Sequence, residues 1–332
     1  MSTRPDPLED RDLRPDRLHY ATGAMLDRDD FLSEQLYHRG RLARALASLH
    51  GSGTVAGLRA EVRPLGETEE LLNVTPGLAV DRLGRLVEVP RPACLRLGRW
   101  LEHLARSDRS ALVAARYDLR PGSPIRTGAP GTDDPQPALT DRQKAFAAKN
   151  PPPGLPKGDR GEDAAKDEPP EWTGWGNGYV VADVFLGFAA CERGKTPAFA
   201  TGPYDALDAV APSRVRDGYE LTLAPRAHAV IPPDPWAEVS GAGVEARMRA
   251  AQRQIMDQGW REGDDEWQDR TTMAPGAEHP PEVDPSSVFL ARLFIPVAVD
   301  GVTRDLDRRV LVNNHLRQFV YPGAALAWLA RQ

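Results

Sequence analysis

Between Pro121 and Pro170 the chain carries eleven prolines, and Asp, Glu, Lys and Gly fill nearly half of the other positions. Such a stretch cannot bury enough apolar surface to offset the entropy of ordering it. Residues 119–177 are therefore expected to form an irregular insert, with one short helix at Thr140–Lys149. A second irregular stretch covers 225–287. It holds one amphipathic helical pattern (Val244, Met248, Ala251, Ile255) followed by an acidic tip, Glu262–Glu266. A folded core must come from what remains, namely 19–118, 178–224 and 288–332. Residues 1–18, charged and proline-containing, read as a flexible, solvated arm.

The first of these regions opens with a helix. Asp27 suits its N-cap, and Asp29 and Asp30 place negative charge where backbone N–H groups are unpaired. Leu32, Leu36, Leu42, Ala43, Leu46 and Leu49 recur at three- and four-residue spacing and make one apolar stripe. Gly40 weakens the middle of the helix. Gly51 and Gly53 suit its end.

Strand patterns follow. Val55–Val62 predicts one strand. Leu72, Val74, Leu78 and Val80 alternate around a Pro76-Gly77 interruption, and Asp81-Arg82-Leu83-Gly84 predicts the turn of a hairpin returning through Leu86, Val87 and Val89. Leu95–Leu104 predicts a short helix holding Trp100, and Ala111–Tyr117 another strand. Further on, Tyr179–Ala190, Tyr219–Leu223, Val288–Val299 and Arg309–Val312 predict strands. Pro212–Asp217 predicts a turn, Asp300-Gly301 a hairpin turn, and Val320–Leu329 a docked C-terminal segment. The expected fold is α+β: a β-rich core of hairpins, one long N-terminal helix and two irregular insertions.

Residues able to carry chemistry are scattered. Cys94 and Cys191 make neither a disulfide framework nor a zinc pattern, and each reads as a small buried hydrophobe; a single bond between them is left open. The seven histidines form no HExxH or Cys/His cluster. Glu34 and His38 share a helix face and, with His50, define one possible hydrolase site, against the plainer reading of a surface pair. Ser52 lies between glycines but not in a GxSxG elbow, and Gly51-Ser52-Gly53 follows a helix, the wrong order for a dinucleotide loop. Gly263–Glu266 lacks the ligand spacing of a calcium loop. No catalytic, metal or cofactor-binding residue is assigned.

A net charge of −6 argues against nucleic acid as a partner, and Arg39, Arg41 and Arg44 have no accompanying recognition motif. Neither a secretory signal nor a run of about 18 apolar residues is present, which predicts a cytoplasmic protein without a membrane span. Trp172, Trp175, Trp236, Trp260 and Trp267 sit on the poorly periodic stretches, where they are candidate contacts to a partner protein. Exposed tryptophans on a β-rich frame also fit a carbohydrate- or surface-binding module.

The segment His19–Leu58 resembles the start of a bacterial protein family associated with phage-tail-like contractile injection system loci. The residues that carry the resemblance are His19-Tyr20, Gly23, Met25-Leu26, Asp30-Phe31, Glu34-Gln35, Tyr37-His38, Leu49-His50-Gly51, Val55 and Gly57-Leu58. It continues at Val74–Asp81 with Gly84-Arg85, at Pro212–Glu220, and at Val312-Asn313-Asn314-His315-Leu316-Arg317 before Phe319–Pro322. Ser52 departs from it, standing where a large aromatic is expected. The resemblance implies a non-catalytic baseplate or tail accessory protein, without a cofactor, whose partners are other proteins of a tail-like particle. It leaves the oligomeric state open.

Overall fold

The computed structural model describes residues 3–4, 6, 8, 17–117, 141–149, 178–197, 210–226, 278–298, 300, 303–314, 316–324 and 326. The five tryptophans singled out above, most of the 119–177 insert and the 244–255 helical pattern lie outside them. The fold is α+β and β-rich, with one long N-terminal helix.

The solvated-arm reading of residues 1–18 fails at four positions. Strand β1 (Thr3–Arg4) pairs antiparallel with Cys191 and Ala190, and Asp6 and Leu8 are buried. Leu8 packs on Ala43 and Leu36, and Asp6 meets Arg39 at 2.8 Å. A short apolar and ionic anchor was hidden in a charged sequence.

Helix α1 (Arg28–His50) starts and stops where its ends are satisfied. The Asp27 carboxylate accepts from the amides of Asp29 and Asp30 (2.8 and 3.0 Å), and Asp30 returns the bond to the Asp27 amide (2.9 Å). Gly51 closes the other end with φ of 70°. An apolar stripe ordinarily faces the core. Here only Gly40 and Ala43 are buried, and Leu32, Leu42 and Leu49 are exposed.

Two small sheets follow. Strands β2 (Gly53–Gly57), β3 (Ala60–Leu65), β4 (Glu69–Val74), β5 (Gly77–Val80), β6 (Leu86–Val89) and β7 (Ala93–Arg96) form the orders β2-β5-β6 and β3-β4-β7. The single strand expected over Val55–Val62 is two strands in two sheets. The chain changes sheet at Leu58, which is fully buried with a φ of 57°. The β5–β6 hairpin has the expected Asp81–Gly84 turn, with the Gly84 amide donating to the Asp81 carbonyl at 2.9 Å. Cys94 and Cys191 are free thiols, and neither is buried. Cys94 lies on the outward face of β7.

Helix α2 (Leu97–Ser107) carries Trp100, whose indole N–H donates to the Leu223 carbonyl at 2.8 Å. The strand expected over Ala111–Tyr117 is instead helix α3 (Arg109–Ala114) followed by the two-residue strand β8 (Arg116–Tyr117). The cause is Asp108, whose carboxylate accepts from the Ala111 amide at 3.0 Å and from the Ser110 hydroxyl at 2.7 Å. Helix α4 (Asp141–Lys149) matches the short helix expected in the first insert.

The main sheet is organised by β9 (Tyr179–Arg193). Beyond a small pair, β10 (Thr196–Pro197) with β11 (Val210–Ala211), come β12 (Arg214–Pro225), β13 (Val288–Pro296) and β14 (Leu311–Asn313). One edge of β9 pairs with β12 and β8, the other with β13 and β1, and β14 adds to β13. The turn expected at Pro212–Asp217 is strand from Arg214 onward. A ladder of twelve residue pairs with β9 overrides the turn preference of Asp217 and Gly218. Every residue of β13 and the first eight of β9 are buried, so both faces of this part of the sheet are covered. That explains their near-continuous apolar sequence. The last part of the second insert joins the fold too: Val283, Ser286 and Ser287 are buried against it. At the expected Asp300 turn, the Ala298 amide donates to the Thr303 carbonyl at 2.8 Å.

The large core is drawn from β3 to β7, α2, α3, β9, β12, β13 and their neighbours. It takes no residue from α1. The helix is held instead by Leu8, Asp6 and the turn beneath Ala43.

Candidate functional site

Buried charges are the first place to look for chemistry. Asp183 sits on β9, fully buried, directly opposite Arg292 of β13. The Arg292 guanidinium grips both carboxylate oxygens, Nε to Oδ1 at 2.8 Å and Nη2 to Oδ2 at 2.9 Å. Arg226 Nε stands 3.1 Å from Oδ2. Burial pushes the Asp183 carboxyl up from its ordinary value, against the pull of Arg292 and Arg226.

A second cluster ties α1 and the β5–β6 turn to the 278–287 segment. Asp81 Oδ1 accepts from the amides of Leu83 (3.0 Å) and Arg85 (2.8 Å), and Oδ2 from Arg85 Nε (2.6 Å). Arg85 reaches on to Ser286 Oγ at 3.0 Å and Asp6 at 3.7 Å, and stacks 4.5 Å over Phe188. Burial pushes the Asp81 carboxyl up to about 6, opposed by Arg85. Glu70 is held by both arms of Arg304, at 2.7 and 3.0 Å. His279 lies against Phe185, with Nε2 at 2.8 Å from the Ser287 carbonyl. Burial lowers its pKa.

These groups face each other. The carboxylates of Asp183, Asp81 and Glu70 are saturated by guanidinium forks and backbone amides, and such pairs hold register without presenting a free acid or base. Among the described residues, no group of three or more His, Cys, Asp or Glu is placed to hold a metal ion.

The Val312–Arg317 stretch makes the third polar centre. The Asn314 side chain pairs with Ala60 as a strand would: its Oδ1 accepts from the Ala60 amide (2.9 Å) and its Nδ2 donates to the Ala60 carbonyl (3.0 Å). Arg317 donates to the Asn314 carbonyl (2.8 Å) and to the Leu58 carbonyl (2.6 Å), at the point where the chain changes sheet. Its Nη2 also meets Asn314 Oδ1. Asn314→Ala strips partners from two buried backbone groups, so a stability loss of about 2–4 kcal/mol is expected in urea titration. A loss under about 0.5 kcal/mol would show that water replaces the amide. His315 lies outside the described residues.

Neither a protein-family model nor a curated protein matches this chain. The resemblance of His19–Leu58 and its continuations therefore rests on those segments alone. What the structure adds is their use: Asp27 and Asp30 cap a helix, Asp81 and Arg85 build a turn, and Asn314 and Arg317 clasp a sheet junction.

The proposed hydrolase trio does not converge. His38 Nε2 lies 4.0 Å from Glu34 Oε1, and the Glu34 carboxylate also takes the Tyr20 hydroxyl, which raises the tyrosine pKa. His50 sits on the last turn of α1, twelve residues from His38, about 18 Å along the axis.

The sequence reading missed an exposed apolar surface along α1 and its approach. Met25 is 94% exposed, Leu49 76%, Leu42 54% and Phe31 50%, with Tyr20 and Leu32 beside them. Leu32, Leu42 and Leu49 belong to the stripe that was expected to face the core, and the seven-residue spacing of Leu42 and Leu49, with Phe31 eleven positions before Leu42, was the available signal that they share one line with Phe31. No helix of the described residues is long and apolar enough to cross a membrane.

Proposed function

We propose that this chain is a non-catalytic structural or assembly component of a phage-tail-like contractile injection system, assembled in the cytoplasm and acting by protein–protein contact. One observation carries the reading: Asp30, Asp81, Arg85, Asn314 and Arg317, among the motif residues that bear the resemblance, spend their polar groups on a cap, a turn and a clasp, while α1 presents large apolar side chains outward. A surface of that kind on an otherwise well-packed frame is an interaction feature. The Trp-bearing insertions are further contacts in this reading.

The test is co-sedimentation. The full chain, tagged and at native level in its own host, is expected to travel with a multi-subunit tail-like particle through a density gradient. Recovery only as a free protein, from cells in which intact particles are present, sinks the reading.

A further inference from the structure

Six residues of α1 lie on one exposed line: Phe31, Gln35, His38, Leu42, Ala45 and Leu49. Their spacing alternates four and three, the 3.5-residue period of a helix–helix seam. At 100° per residue they fall within about 40° of a single line, spanning about 27 Å. Gly40, which is buried, lies diametrically opposite. The helix thus has two working faces. The inner one, with Gly40 and Ala43, is small and docks closely; the outer one carries the bulk.

The outer line is self-complementary. Each position has its mate equally far from residue 40: Phe31 with Leu49, Gln35 with Ala45, His38 with Leu42. Beside the line, Leu32 has a comparable apolar neighbour in Leu46. Charge is divided the same way. The first turns, residues 27–34, hold Asp27, Asp29, Asp30 and Glu34 against one arginine, and the stretch beyond residue 40 holds Arg41, Arg44 and His50. Two such helices laid antiparallel set acidic half beside basic half and oppose their dipoles. Laid parallel, they set like charges together and stack Phe31 on Phe31.

We infer that the outer face of α1 is a homodimer seam, on which two copies of this chain pair their α1 helices antiparallel about a two-fold axis near residue 40. The inference rests on the protein-contact reading above and names one partner for it, a second copy. An isologous contact of this kind repeats every pairing twice. Exposed Met25 and Tyr20 extend the apolar surface beyond Phe31, toward the area a stable interface needs.

The full-length chain with Cys94→Ser and Cys191→Ser gives a thiol-free background. In it, Phe31→Cys and Leu49→Cys are made separately. Oxidation of the two mixed together is expected to give a disulfide-linked dimer, and each alone is expected to stay monomeric on a non-reducing gel. Self-linking of either variant alone indicates a parallel seam and overturns the inference, as does failure of the mixture to link. Independently, sedimentation is expected to give twice the monomer mass for the wild type and the monomer mass for Leu42→Glu, with unchanged circular dichroism. A monomeric wild type overturns the seam: another protein, or another part of the same chain, then covers α1. Co-sedimentation with a particle by that monomer would leave the proposed function standing.

Discussion

Replacing Arg292 by methionine is expected to lower folding stability at pH 7 by about 3–5 kcal/mol, the cost of leaving a buried carboxylate without its main cation. Asp183 has no route to water: it is fully buried on a strand covered on both faces, and Arg292 is itself only 2% exposed. Arg226 remains at 3.1 Å, but it makes a single contact where Arg292 makes two. The pH dependence gives a second handle. Burial already holds the Asp183 pKa above its unfolded value of 3.8, so the folded state binds a proton more readily than the unfolded chain. Stability from this group therefore rises as pH falls through the folded-state pKa toward the unfolded one. Removing Arg292 removes the chief opposing influence and raises that pKa further. The deficit of the variant should be largest at neutral pH and shrink in acid, and Asp183→Asn in the same background should restore much of it. Urea titrations at pH 7 and pH 5 decide the matter. A deficit under about 1 kcal/mol at pH 7, or one that grows on acidification, would show that the pair is not what holds β9 to β13.

Local signals were legible and distant ones were not. The α1 cap needs only Asp27 and Asp30, three residues apart, and the β5–β6 turn needs only Asp81 to Gly84, so both could be read directly. The runs Tyr179–Ala190 and Val288–Val299 announced buried strands by their apolar content. Helix α3, mistaken for a strand, was decided by one side chain, Asp108, against the strand preference of the residues after it. Leu8 was missed because its burial depends on Ala43 and Leu36, which local sequence does not pair with it. Arg317 reaches Leu58 across 259 positions, and nothing in the spacing of either announces the other. One clue was available. Asp183 and Arg292 are each the lone charge in those two apolar runs, and a buried charge needs a partner of opposite sign. Of the candidate site, the Glu34–His38 proximity followed from i,i+4 spacing, whereas the outward turn of the α1 stripe depended on which face the body of the protein takes. That face is marked by Gly40 and Ala43, the two buried residues of the helix, and Ala43 is small enough for its backbone to lie against Gly84.

The close docking of α1 itself predicts the second large effect. Gly84 holds φ at +81°, and a Cβ there would run into the backbone carbonyl of Ala43. Gly84→Ala is expected to cost about 2–5 kcal/mol, combining roughly 1–2 kcal/mol for a left-handed backbone with the strain of overpacking. Gly66 supplies the control. It holds a similar φ of +74° on the β3–β4 turn, but a Cβ added there meets nothing within 4 Å. Gly66→Ala should therefore show the backbone cost alone, and the difference between the two variants measures the helix contact. Because α1 contributes nothing to the large core, the strain at Gly84 should be relieved by lifting the helix, with Leu8 and the Asp6–Arg39 pair released alongside it. Hydrogen exchange is the readout: Gly84→Ala should lose protection across α1 while β9 and β13 keep theirs. Equal losses for the two glycine variants, or α1 protection unchanged in Gly84→Ala, would mean that the helix is fixed by something other than its seat on the Asp81–Gly84 turn.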